Sequence, residues 1–310
     1  MKNGKFHIAL IVVVLAAIVT FVSFSARSSS PGPVQSKSGP ASNPNSVKPT
    51  SRVVNRNPTS TKATTAFAAA ATQNAALRNE LTWTFGGKRQ RGWYLYDLLI
   101  GRTLKTTEDF GTSDFASAVA VWQKRSGLGS HGVLDEDALM RMVSHWQSNR
   151  LKNRTAATPD QLLTAPPTDF YDPSRAAELR QVERNTYAAY KRMIAAALVD
   201  PALKLQRTSS GELAPGEKFL KIISAFRSRE YQEELRRRSP NAGRAGLAVN
   251  SPHFTGRALD IYVGGDPVDT KDANRAIQVD TPAYRWLVRN AERFGFRPYF
   301  YEPWHWEYVN

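Results

Sequence analysis

Two short stretches near the C-terminus constrain this chain more than anything else in it. One runs Ser251-Pro252-His253-Phe254-Thr255-Gly256-Arg257-Ala258-Leu259-Asp260, the other Glu302-Pro303-Trp304-His305-Trp306-Glu307. Together they supply two imidazoles and one carboxylate of the kind that bind zinc, and a second carboxylate close to the last imidazole. Three protein ligands leave the fourth position of a tetrahedral zinc open to water, which separates a catalytic site from a closed structural one. The spare carboxylate can take a proton from that water. The chain therefore reads as a metal-dependent hydrolase, and its fold has to bring the two stretches to one place.

Side-chain alternation says how the first stretch does so. On a strand, residues two apart share a face. Over Arg257 to Val263, Leu259, Ile261 and Val263 make the better core face, which leaves Asp260 facing a cleft with Ala258 and Tyr262. His253 lies before that strand, across a turn that Gly256 permits. His305 sits in a final strand region, Tyr299 to Val309. Glu302 would point to the opposite face of a regular strand, but Pro303 lacks an N–H and marks an irregular backbone there.

At these residues the chain resembles the zinc D-alanyl-D-alanine carboxypeptidases of the VanY type, whose fold is shared with the hedgehog signalling domain. The resemblance covers about Pro201 to Asn310 and rests on the Ser-x-His-x6-Asp and Glu-x-Trp-His elements in order. It implies zinc as cofactor, His253, Asp260 and His305 as its ligands, and Glu302 as catalytic base. Ser224-Ala225-Phe226-Arg227-Ser228 looks like the family's Ser-x-Tyr-Arg-Ser element with Phe for Tyr. Arg227 then matches the active-site arginine, Gln232 a substrate-contacting glutamine, and Ser251 a serine beside the substrate's terminal carboxylate. Arg227 has two open roles, holding the tetrahedral oxyanion or gripping the C-terminal carboxylate. The implied reaction removes the terminal D-alanine of peptidoglycan stem peptides. An L,D-carboxypeptidase or an endopeptidase of the same fold stays open, as does a non-catalytic zinc-containing wall-binding protein. His7, His131 and His145 read as structural, Trp304, Trp306 and Tyr308 as packing residues, and Glu307 as the partner of a basic neighbour.

The rest of the chain supplies context. Phe6 to Phe24 is apolar almost throughout and close to the ~20 residues that span a bilayer, with Lys2 and Lys5 before it. It reads as a transmembrane signal-anchor over 1–25, in competition with a cleaved signal that would leave the protein secreted. Both readings place the remainder outside the cytoplasm. Residues 26–65 are rich in Ser, Pro, Asn and Thr and read as a disordered tether. Residues 66–150 read as a small mainly helical domain, with helices over Ala68–Leu81, around Phe115, Val119 and Trp122, and from Leu134. The order Phe115, Val119, Trp122-Gln123, Gly127-Leu128, Gly132-Val133-Leu134-Asp135, Leu139 resembles peptidoglycan-binding-like three-helix domains of cell-wall hydrolases. Residues 151–172 read as a linker and 173–310 as the catalytic domain.

The expected fold class is α+β, a small antiparallel sheet flanked by helices. A long helix is expected over Pro173–Leu198, a strand over Phe219–Phe226, and helices over Arg229–Arg238 and Pro282–Phe294. The chain has no cysteine, which excludes disulfides and thiolate ligands. Its net charge of +15 favours acidic partners. There is no zinc-finger spacing and no basic block beyond Arg236-Arg237-Arg238, so nucleic acid is not expected. The expected partners are peptidoglycan stem peptides, with glycan contact left open, and a membrane through the N-terminal helix.

Overall fold

The strand that carries Asp260 holds the molecule together. In the computed structural model, which describes residues 66–239 and 247–310, β6 (Ala258–Ile261) runs through the middle of a four-stranded antiparallel sheet in the order β5-β6-β8-β7. β5 is Ile222–Ser224, β7 Phe296–Tyr299 and β8 Glu302–Tyr308. Leu259, Ile261 and Val263 are fully buried, as their alternation predicts. Each such side chain contributes roughly 1.5–3 kcal/mol when removed from water. β5 is shorter than the predicted 219–226 strand because Leu220 adopts a positive φ of 66° and the β5–β6 register slips between Ile222 and Ser224.

Helices precede and flank this sheet. α1 (Ala68–Glu80), α2 (Asp97–Leu104), α3 (Ser113–Arg125) and α4 (Glu136–Ser148) form the N-terminal part, with a hairpin of β1 (Thr82–Phe85) and β2 (Lys88–Arg91) after α1. Thr112 and Asp135 cap α3 and α4 by accepting from the N–H of Phe115 and Ala138, which satisfies donors that a helix start leaves free. The expected helix over 173–198 is corrected. Only Arg184–Leu198 (α5) is α-helical, with a separate 3-10 turn over Ala177–Arg180, and Glu183 caps α5 by accepting from Asn185 and Thr186. Before it, Asp172 ties back the N–H of Ser174, and β4 (Gln181–Glu183) pairs with β3 (Leu162–Thr164). Val182 fits a helical face in the sequence, yet it is buried as a strand residue.

α6 (Arg229–Arg238), α7 (Asp272–Asp280) and α8 (Pro282–Asn290) complete the elements. α8 ends in a 3-10 turn over Ala291–Phe294 and stops at Gly295, φ +88°. Residues 151–172 carry β3 and bury Leu151, Ala165 and Phe170. The described residues all lie in one compact unit. The helical part meets the sheet through Phe300, whose ring lies 4.7 Å from Phe85, 5.3 Å from Tyr96 and 5.9 Å from Trp146. Buried Arg275 pins the same junction, donating to Tyr96 Oη at 3.1 Å, Gln90 Oε1 at 3.3 Å and Asp272 Oδ1 at 2.7 Å. Phe300 lies just before Glu302, so this packing bears directly on the second site segment. The expected anchor and tether lie outside the described residues; among the described ones, no helix is long and apolar enough to cross a membrane.

Candidate metal centre

The turn bearing His253 is fixed by backbone hydrogen bonds from three directions. Ser251 Oγ accepts from His253 N at 3.3 Å and starts a 3-10 turn over Pro252–Thr255, which Gly256 ends at φ +65°. The carbonyls of His253, Phe254 and Gly256 then accept from the N–H groups of Arg227, Ala157 and Glu183 at 3.1, 2.8 and 3.1 Å. His253 cannot drift without breaking this frame.

β8 delivers the other two residues by an irregularity. Pro298 pairs with Trp306, but the next residue, Tyr299, pairs with Glu302, so the ladder skips Pro303, Trp304 and His305. The skipped residues bulge, and Glu302 and His305 both line one cleft of about 570 Å³. The Pro303 signal in the sequence marks this break.

Three donor atoms converge in the cleft. Asp260 Oδ1 lies 3.3 Å from His253 Nε2 and 3.0 Å from His305 Nδ1, and ligand atoms of the three residues lie within 4.8 Å of one another. Ligands at 2.0–2.1 Å from a tetrahedral zinc stand about 3.3 Å apart, so these spacings suit such an ion. The outer nitrogens are engaged as metal-binding histidines require. His253 Nδ1 donates to Ala225 O at 2.6 Å, and His305 Nε2 donates to Glu307 Oε1 at 3.2 Å. Both rings thereby aim their remaining nitrogen at Asp260. The His/Asp/His group can hold a metal ion.

Charge in the cleft is arranged around these groups. Burial pushes the Glu302 carboxyl up to about 8. Burial also lowers His253 to about 4. For His305, burial acts downward, but its bonds to Asp260 and Glu307 outweigh it and raise the ring to about 9. Burial opposes ionisation of Asp260, yet His253 and Arg227 hold its carboxyl well below the usual range. A divalent cation among these groups would favour neutral imidazoles and ionised carboxylates.

The remaining residues implied by the resemblance are placed as follows. Arg227 lines the cleft and pairs with Asp260 Oδ2; its Nε donates to Ser224 Oγ at 3.0 Å, and Nη1 keeps a long 3.5 Å contact to Gln232 Oε1. Gln232 is buried outside the cleft lining, with its amide nitrogen donating to Ala248 O at 3.1 Å. Ser251 lines the cleft. Two further residues complete the centre. Glu307 does pair with a basic neighbour, Arg150, but it also holds His305; its position two residues after His305 on a strand was the available signal. Arg150 comes from the end of the helical part, and its guanidinium lies 3.9 Å over the Tyr299 ring. No local pattern announces it.

Comparison with known proteins adds three findings. Residues 180–310 match the VanY family, described as D-alanyl-D-alanine carboxypeptidase. Among solved structures, the LdcB LD-carboxypeptidase, described in connection with peptidoglycan recognition, is similar over 50% of this chain and 70% of that one, at 24% identity and a TM-score of 0.34. Among curated proteins none matches.

Proposed function

We propose, from the match of residues 180–310 to the VanY family of carboxypeptidases, that the protein is a zinc-dependent D-alanyl-D-alanine carboxypeptidase of peptidoglycan stem peptides. The observation that carries the reading is the convergence of His253 Nε2, Asp260 Oδ1 and His305 Nδ1 beside a buried glutamate in one cleft. When bound there, zinc supplies Lewis acidity and lowers the pKa of water toward about 7.

The protein's own groups do the rest. Glu302 takes a proton from the attacking water and returns it to the departing amine of D-alanine. Its burial raises its carboxyl to about 8, and a cation held by His253, Asp260 and His305 would lower it toward the range of a base. Arg227 holds Asp260 in place and offers Nη1 to the developing oxyanion. Gln232 supports Arg227, and Ser251 stands at the cleft wall for the substrate's terminal carboxylate. Work on such a substrate fits a chain exported past the cytoplasmic membrane and tethered through Phe6–Phe24.

The test is mass spectrometry of muropeptides after incubation with the purified, zinc-loaded protein. Pentapeptide stems should lose one alanine and yield tetrapeptides. Loss of alanine from tetrapeptides alone would make the enzyme an L,D-carboxypeptidase. Release of an internal fragment without free alanine would make it an endopeptidase.

A further inference from the structure

The cleft holds more positive charge than its own residues neutralise. Arg150, Arg154, Arg175 and Arg227 line it, against the carboxylates of Asp260 and Glu302 alone. Arg150 is paired with Glu307 and Arg227 with Asp260. Arg154 and Arg175 form no ion pair among the described residues. Their protein contacts are with backbone carbonyls: Arg154 Nη1 donates to Asn250 O at 2.8 Å, and Arg175 Nε donates to Leu179 O at 3.1 Å. Nor can an undescribed side chain neutralise them, because residues 1–65 and 240–246 contain no Asp or Glu.

Both guanidiniums are partly withdrawn from water, and burial depresses the pKa of each. A surface arginine left in solvent would show no such effect. The two also have different neighbours. Arg154 feels Glu307, Arg150 and Tyr299, on the His305 side of the centre. Arg175 feels Tyr231, Arg227, Asp260 and Asp172, the last without a salt bridge. Each retains unused donors of a planar fork suited to a carboxylate.

We infer that Arg154 and Arg175 are specificity residues, each taking one carboxylate of a peptide that bears at least two, at different places along the cleft that holds His253, Asp260 and His305. One is the chain-terminal carboxylate that any carboxypeptidase substrate has. The other is a free side carboxylate elsewhere in the peptide. The inference rests on the carboxypeptidase reading for its substrate class. It adds that two residues before the matched family segment, Arg154 and Arg175, take part in choosing the substrate, so the helical part and its connection form a wall of the active cleft.

The experiment compares two pentapeptides, L-Ala-γ-D-Glu-meso-diaminopimelyl-D-Ala-D-Ala and the same peptide with both side carboxylates amidated. Binding is measured by calorimetry on the zinc-loaded full chain carrying Glu302→Gln, and hydrolysis on the parent. The acidic peptide should bind about tenfold or more tightly than the amidated one, as expected for a charge-assisted contact. One of Arg154→Gln and Arg175→Gln should abolish that preference; the other should weaken both peptides alike while leaving the preference intact. The corresponding lysine variant should recover part of each loss. Equal binding of the two peptides to the parent, or a preference untouched by both glutamine variants, would overturn the inference. Hydrolysis without carboxylate preference sinks the inference alone, and preference without hydrolysis by the parent sinks the carboxypeptidase reading alone.

Discussion

Arg150 and Glu307 lie 157 residues apart in sequence and are bonded side chain to side chain, while the same Glu307 oxygen accepts from the ring of His305. The second Glu307 oxygen accepts from Leu151 N at 2.8 Å. The helical part thus reaches the metal centre through one carboxylate. Outer partners of metal-bound histidines usually matter 10–100-fold, roughly, to metal affinity. Arg150→Ala is therefore expected to weaken zinc binding by about that factor, read by competition with a chromophoric chelator. Circular dichroism of the variant should match the parent. Unchanged affinity would show that Glu307 keeps His305 oriented without Arg150.

Glu302→Gln separates holding the metal from using it. Glu302 is outside the His253, Asp260 and His305 group, and glutamine keeps its volume but cannot take a proton. Zinc affinity should stay within about twofold, while turnover on a pentapeptide falls by roughly 10²–10⁴, the usual contribution of a general base. Turnover like that of the parent would remove Glu302 from the mechanism.

Removing the metal should cost stability as well as activity. A ligand at 1,000 times its dissociation constant stabilises the folded state by about 4 kcal/mol. In the metal-free protein, Asp260 keeps its negative charge beside Arg227, so the centre stays charged and less restrained. Chelation is expected to lower the midpoint of thermal unfolding and abolish hydrolysis, and zinc should restore both. Calcium, which prefers six to eight oxygen ligands, should restore neither.

Much of the centre was legible because its residues lie in short, locally patterned segments. Alternation over 257–263 gave the face of Asp260, and Gly256 gave the turn after His253. Glu302 was harder, since period two sends it away from His305; the skipped register at Pro303–His305 brings it back. Arg150 was not legible, because nothing in a local pattern says which distant chain end will meet a strand. The same limit explains the misread helix at 173–183. Leu179 and Val182 fit a helical stripe, but pairing of Gln181–Glu183 with Leu162–Thr164 is a long-range choice that local periodicity does not contain.

Asp97 gives a pH dependence away from the metal. Its Oδ2 accepts from Arg78 at 2.6 and 3.0 Å, whereas Oδ1 is buried with no hydrogen-bond partner among the described residues. Burial outweighs the pull of Arg78 and raises the carboxyl from 3.8 to about 6. A folded-state pKa above the unfolded one contributes stability that is full below about pH 4 and lost as pH rises through about 6, of order 3 kcal/mol in all. Asp97→Asn lacks this titration. Denaturant unfolding of both proteins should show the parent gaining on the variant as pH falls from 8 to 4. A constant difference across that range would refute the assignment.

Gly256 tests whether the His253 turn tolerates any side chain. Its φ of +65° is the left-handed region, and an added Cβ would stand 2.9 Å from Glu183 N and 2.9 Å from Leu162 Cδ2. The first of these is backbone that already donates to Gly256 O at 3.1 Å, so relief of the contact must loosen the frame around His253. Gly211, at φ +78° with nothing within 4 Å of its added Cβ, has the same backbone constraint without the close approach. Gly211→Ala should cost about 1–3 kcal/mol from strain alone. Gly256→Ala should cost more than Gly211→Ala in chemical unfolding and should also weaken zinc binding, which Gly211→Ala should leave intact. Equal losses in the two variants would mean that the β3–β4 hairpin yields freely and that His253 is held by Ala225 and Arg227 without it.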